Sequence, residues 1–171
     1  MTDMERQTPP MTGDERATLE GWLDFQRQTL LLKCDGLDDV QRRTASVPPS
    51  PLTLQGLVQH MAEVERNWFR RVVGGETAPP IYYPSTADHD GHDDGFELTG
   101  NVSFESAVAT WQAEISAGRA NCAPADLQDT RPFRGTEVSL RWIYLHMIAE
   151  YARHNGHADM IRERIDGATG I

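Results

Sequence analysis

Histidine and carboxylate placed one helical turn apart are the residues in this chain best suited to chemistry. Glu150 and His154 stand four apart in LRWIYLHMIAEYARHNGHADMIRERI, the stretch from Leu140 to Ile165, so they share a helix face and can point at a common atom. His60 stands in LTLQGLVQHMAEVERNWFRRVVGG, a second long amphipathic stretch. Two helices supplying one and two ligands of N, N and O type would hold a divalent cation with a coordination position open, the arrangement of a catalytic zinc rather than a structural one. Spacing alone leaves another reading open: His60 and His154 as hydrogen-bonded core histidines, with Glu150 paired to an arginine such as Arg66.

The final stretch positions its site residues by periodicity. Leu140, Ile143, Met147, Tyr151, Ala158, Ile161 and Ile165 fall on one apolar stripe at helical spacing. His154 projects within roughly 20° of the middle of that stripe, and Glu150 sits at its edge. A carboxylate there is costly to bury unless its charge is compensated. His157 and His146 lie just outside the stripe on Glu150's flank, placed for contacts behind the ligands or for proton transfer.

Other clusters carry weaker signals. DHDGHDDG approaches a calcium loop counted from Asp90, with Asp94 and Gly95 in place, but His92 takes a ligand position and Asn101 stands where the bidentate Glu belongs. His89 and His92 are expected on an exposed loop remote from the site. Cys34 and Cys122 are isolated, with no paired-ligand spacing, and Cys34 falls on an apolar stripe as a small core residue. His60-x-x-Glu63 reverses the order of a di-iron motif.

Four amphipathic helices with two long connections predict an all-α, four-helix bundle. The first starts from Thr12 as N-cap and carries Leu19, Trp22, Leu23, Leu30 and Cys34 to a stop near Gly36. A polar loop closed by Pro48, Pro49 and Pro51 follows, then a second helix from about Leu52 to Val73, stopped by Gly74 and Gly75. Residues 76–101 form a Pro-, Gly- and Asp-rich connection that would cover the mouth of the site. Ser103 caps a third helix carrying Phe104, Val108, Trp111 and Ile115. An irregular piece then leads to Thr136, the expected N-cap of the last helix, which Gly167 ends. Trp22, Trp68 and Trp111 read as core. No stretch alternates as a strand. The expected organisation is a disordered lead over 1–11, one bundle domain over 12–167 and a tail over 168–171.

The chain has 171 residues and a formal net charge of -10, a balance that disfavours nucleic acid and anionic membrane as partners. No apolar run reaches bilayer length, and the polar start lacks a signal region, so a cytoplasmic protein is expected. Lys33 is its only lysine, the arginine-rich usage that GC-rich genomes encode.

From about Thr12 onward the chain resembles the DinB-like (YfiT-like) family of bacterial metalloenzymes, most closely in the two helical stretches quoted above. That resemblance implies a four-helix bundle, often a homodimer, with a divalent metal held by His60, Glu150 and His154. Many members have histidine where this chain has Glu150. The His-Glu-His set is similar to the metal domain of mycothiol-dependent maleylpyruvate isomerase, which implies zinc, with nickel as an alternative, and a low-molecular-weight thiol. The function so implied is a thiol-dependent S-transferase or isomerase acting on a small electrophilic molecule. The alternatives are a non-catalytic stress-response or dimerisation bundle and a metal-assisted hydrolase. The last lacks the general-base Glu of a His-Glu-x-x-His motif.

Overall fold

The computed structural model describes residues 6–82, 96, 98 and 101–170. They are mostly helical. Helix α1 spans Glu15–Cys34, α2 is a single turn over Asp39–Arg42, α3 spans Leu54–Glu65, α4 Phe104–Cys122 and α5 Leu140–Asp166. Between α4 and α5 lies a two-stranded antiparallel hairpin, β1 over Thr130–Phe133 and β2 over Thr136–Ser139.

Side-chain caps set the helix starts. Asp14, not Thr12, caps α1, accepting from the Ala17 amide at 2.8 Å, and an acid there also faces the positive end of the helix dipole. The helix ends at Cys34, just short of Gly36. The stretch expected as polar loop contains α2, held by reciprocal bonds between Asp38 and Gln41. Thr53 caps α3 and Ser103 caps α4. Gly167 ends α5 with a left-handed φ of 79°, which glycine adopts without a Cβ penalty.

Three further expectations need correction. The second helix is not uniform: after Glu65 it widens into a π-helix over Arg66–Val73. Gly74 N–H bonds to the Phe69 carbonyl, and Arg66, Arg70 and Arg71 reach forward to Pro79, Glu76 and Ala78, so the wide turns are held from outside the helix. Thr136 caps nothing, because it lies in β2. The turn Arg134–Gly135, with φ of 49° and 78°, is the primed geometry that two-residue hairpins require, and Ser139 caps α5 instead. Trp22 is 44% exposed, off the α1 stripe that buries Leu19, Leu23 and Leu30, and packs edge-on against Phe25.

α5 packs along α1, while α4 packs against α3 and the π segment; α3 also meets α5 and α1. At the middle of this packing sits a buried polar chain that joins all four long helical stretches. The Arg27 guanidinium of α1 makes two bonds of 2.8 Å to Glu65 of α3, Tyr151 of α5 donates to Glu65 at 2.6 Å, and Trp111 of α4 donates to the Tyr151 hydroxyl at 2.8 Å. Burial opposes the charge on Arg27, but the Glu65 carboxylate more than offsets it and keeps the guanidinium protonated. No helix among the described residues is long and apolar enough to cross a membrane.

Apolar packing around this chain is dense, and Leu57, fully buried on α3, lies within it. Leu57→Ala should lower unfolding free energy by roughly 2–5 kcal/mol through the cavity it leaves. Denaturant unfolding followed by circular dichroism checks this, and an unchanged midpoint would contradict the packing described.

Candidate metal centre

α3 is buried along almost its whole length, and His60 leaves it toward α5 with only 5% of its surface exposed. Gly56, one turn earlier, makes room for what covers that ring. A Cβ at Gly56 would lie 2.5 Å from the Phe96 carbonyl oxygen, so only glycine lets the Phe96 backbone rest on α3. The Phe96 ring then stacks on His60 with centroids 4.2 Å apart, and reaches within 5.4 Å of the His154 ring.

From α5, Glu150 and His154 meet His60 at one point. Glu150 Oε1 lies 3.0 Å from His154 Nε2 and 3.5 Å from His60 Nε2, and the three atoms all fall within 4.8 Å of one another. Ligand atoms about 2.1 Å from a tetrahedral ion lie roughly 3.4 Å apart. The two Glu150 separations are close to that value, so the three groups could hold a metal ion once the two imidazoles draw together around it. His154 is 2% exposed and the Glu150 side chain 11%.

The charge of Glu150 is the electrostatic problem of this corner. Burial pushes its pKa up, but hydrogen bonds from His154 and His60, then the charges of His154 and Arg153, hold the carboxyl well below the usual carboxylate range. Arg153, exposed at the rim, donates to Glu150 Oε2 at 2.5 Å. Arg66 is not its partner: that guanidinium bonds to Glu114. Behind the corner, His157 Nδ1 lies 3.3 Å from His154 Nδ1. A proton on His154 Nδ1 can be shared with His157, which leaves Nε2 free to act as a ligand. His60 Nδ1 is buried and has no hydrogen-bond partner among the described residues.

A model of the mycothiol S-transferase family matches residues 18–167. The chain belongs to that family, within the DinB-like group. No curated protein sequence matches it. The family match spans the whole arrangement just described, from the first turn of α1 to Gly167, the cap of α5.

The remaining candidate residues lie around this corner or away from it. His146 lies one turn before Glu150 but takes no hydrogen bond from it. Its ring is instead stacked parallel to Trp142, and burial lowers its pKa against the opposing charge of Glu150, so it is a neutral imidazole at pH 7. Glu63 is turned to the connection after the π segment, accepting from the Ile81 and Tyr82 amides. Cys34 and Cys122 are buried, and burial pushes their thiols up to about 12 and about 11, so neither is a nucleophile. His89, His92, Asp90 and Asp94 lie outside the described residues. A cavity of about 450 Å³ between α1 and α4 contains none of the three converging residues, and its Arg16 is committed to Glu20 and to the Cys122 and Ala125 carbonyls.

Sequence reasoning missed Phe96, Gly56 and Arg153. The first two sit in different elements and meet only through folding. Arg153 carried a readable signal, since it stands three residues after Glu150 on the same helix.

The lowered pKa of Glu150 has a consequence for stability. A carboxyl depressed in the folded state contributes stability that is fully present above its unfolded pKa of about 4.3 and is lost as pH falls toward its folded value. Glu150→Gln lacks that contribution. The stability gap between parent and Glu150→Gln in metal-free protein should therefore be present at pH 5 and shrink steadily as pH falls below about 4. Unfolding titrations across that range check it; a gap independent of pH would contradict the assigned hydrogen bonds.

Proposed function

We propose that this protein is a zinc-dependent S-transferase that uses mycothiol to attack a small electrophilic molecule, built as one four-helix-bundle domain over 12–167 and working in the cytoplasm. The observation that carries the reading is the convergence of His60 Nε2, Glu150 Oε1 and His154 Nε2 on one point. Two neutral nitrogens and one carboxylate oxygen suit zinc better than a hard oxygen-seeking cation, and three protein ligands leave a coordination position for an outside sulfur. Bound there, zinc would lower the pKa of a thiol and hold it as thiolate.

The chain's own residues supply the rest. With both cysteines buried and protonated, the reacting sulfur must come from a separate molecule, which agrees with the family's name. Glu150 brings the negative charge that offsets part of a dication, and Arg153 holds its second oxygen away from the corner. Phe96 shields the His60 side from water, which keeps the thiolate poorly solvated and reactive. His157 holds the His154 ring in one tautomer through the Nδ1 contact. The step itself forms a carbon–sulfur bond as the electrophile's leaving group departs with its electron pair, and the thiol proton is released to solvent.

Protein purified from zinc-supplemented culture should contain about one zinc per chain by elemental analysis, and His154→Ala should contain little or none. Glu150→Gln should bind zinc at least about ten-fold more weakly with unchanged helical content, because it removes one anionic ligand. Consumption of an activated aryl halide should require mycothiol and stop on chelation. Turnover without thiol, or full activity in zinc-free protein, would overturn this function.

A further inference from the structure

The metal corner does not stand alone on α5. Trp142, His146, Glu150 and His154 follow one another at four-residue steps, so they form a single row along the helix. Each member interacts with the next. The Trp142 and His146 rings are stacked, 5.0 Å apart and 6° from parallel; the charge of Glu150 acts on His146; and Glu150 bonds to His154. The row thus runs from an indole that is 48% exposed to an imidazole that is 2% exposed.

Two irregular elements back the exposed end. The π segment turns Trp68 toward α5, where its ring lies 4.7 Å from His146 and 5.5 Å from Trp142. The hairpin brings Phe133 to 4.9 Å from Trp68, and Arg131 ties the hairpin to the Val73 carbonyl at the end of the π segment. A π-helix is less stable than an α-helix and recurs at functional sites. Here the π-helix, the hairpin and the first turns of α5 together build one aromatic shelf. An exposed indole on a rigid aromatic base is a surface for stacking a flat or ring-shaped ligand. A patch one or two rings wide is too small for a stable protein interface, which takes about 800 Å² on each partner.

We infer that this shelf binds the sugar and cyclitol rings of mycothiol, with the exposed Trp142 stacking on them over its base of His146 and Trp68 while the sulfur lies at the Glu150–His154 corner. The inference rests on the proposed use of mycothiol and adds where the rest of that molecule goes. Its chemistry fits the shelf. Mycothiol carries its thiol on an N-acetylated cysteine that is amide-linked to glucosamine and through it to inositol, so it has no ionic group. Neutral rings, not a basic pocket, are what such a ligand needs, and the neutral His146 imidazole with Trp142 provides them. The lengths agree as well. His146 and Trp142 precede Glu150 by about 6 and about 12 Å along the axis, at 1.5 Å per residue. A cysteine amide link sets the glucosamine ring roughly 6 Å or more from the sulfur, and the inositol comes one ring further on.

Calorimetric titration of the full-length, zinc-loaded protein tests this with two probes, mycothiol and N-acetylcysteinamide, the second presenting the sulfur end alone. Trp142→Ala should weaken mycothiol about ten-fold and leave N-acetylcysteinamide unchanged, as expected for loss of one stacked aromatic. Trp142→Phe should keep most of the mycothiol affinity, and Trp22→Ala, an exposed indole outside the row, should keep all of it. Circular dichroism verifies that each variant is folded. Equal mycothiol affinity in Trp142→Ala and parent overturns the shelf and leaves the mycothiol reading standing. Equal weakening of both probes also overturns it, because the defect would then lie at the corner. Failure of the parent to bind mycothiol overturns the underlying reading and the shelf with it. An aryl halide whose KM rises in Trp142→Ala while mycothiol affinity is unchanged would give the shelf to the other substrate instead.

Discussion

A buried guanidinium–carboxylate pair, Arg27 with Glu65, fixes how the helices of this protein face one another. Both side chains are withdrawn from water, a cost of several kcal/mol per ion that only close two-point bonding and further hydrogen bonds can offset. Tyr151 and Trp111 complete the set, so one residue from each long helical stretch is committed to the same small volume. The angular consequences reach the metal corner directly. Glu65 lies five residues after His60 on α3, and Tyr151 is the neighbour of Glu150 on α5. Rotating either helix enough to part His60 from Glu150 would also pull Glu65 or Tyr151 out of this network. Ionic pairing deep in the core thereby aligns His60, Glu150 and His154, which are not part of it.

The corner itself is an exercise in charge compensation. Glu150 is shielded by two imidazoles and one exposed arginine, which suffices to keep it ionised but leaves its negative charge near two nitrogens able to ligate. Such a set could hold a metal ion. Phe96 and Gly56 close it from one side, and the row toward Trp142 leads away from it on the other. The site and the shelf are thus two ends of one face of α5, separated by the two helical turns between Trp142 and Glu150.

Much of this was legible in the chain before folding. Helical periodicity placed Glu150 and His154 on a common face, and the caps at Ser103 and Gly167 read correctly because capping is local chemistry. The convergence of His60 with them drew on pairing two helices, which the family resemblance supported. What escaped was non-local or irregular. The π segment has the same apolar spacing as an α-helix over so few residues, and its wide turns depend on arginines bonding past Gly74. The hairpin hid because Thr130–Phe133 contains a proline and its turn is Arg-Gly rather than Asn-Gly. Arg27 gave no signal in the sequence, since burial of a charge shows only once Glu65 is beside it. Trp22 misled in the opposite sense, an indole near an apolar stripe that stays half in water.

The central claim is that His60, Glu150 and His154 hold a zinc ion whose remaining position accepts an outside thiol. X-ray absorption at the zinc edge of the loaded protein, with and without mycothiol, tests it most directly. The account predicts only nitrogen and oxygen neighbours at about 2.0–2.1 Å in the protein alone, and one sulfur at about 2.3 Å once mycothiol is added. A sulfur neighbour already present without mycothiol, or a coordination shell that mycothiol leaves unchanged, would contradict it.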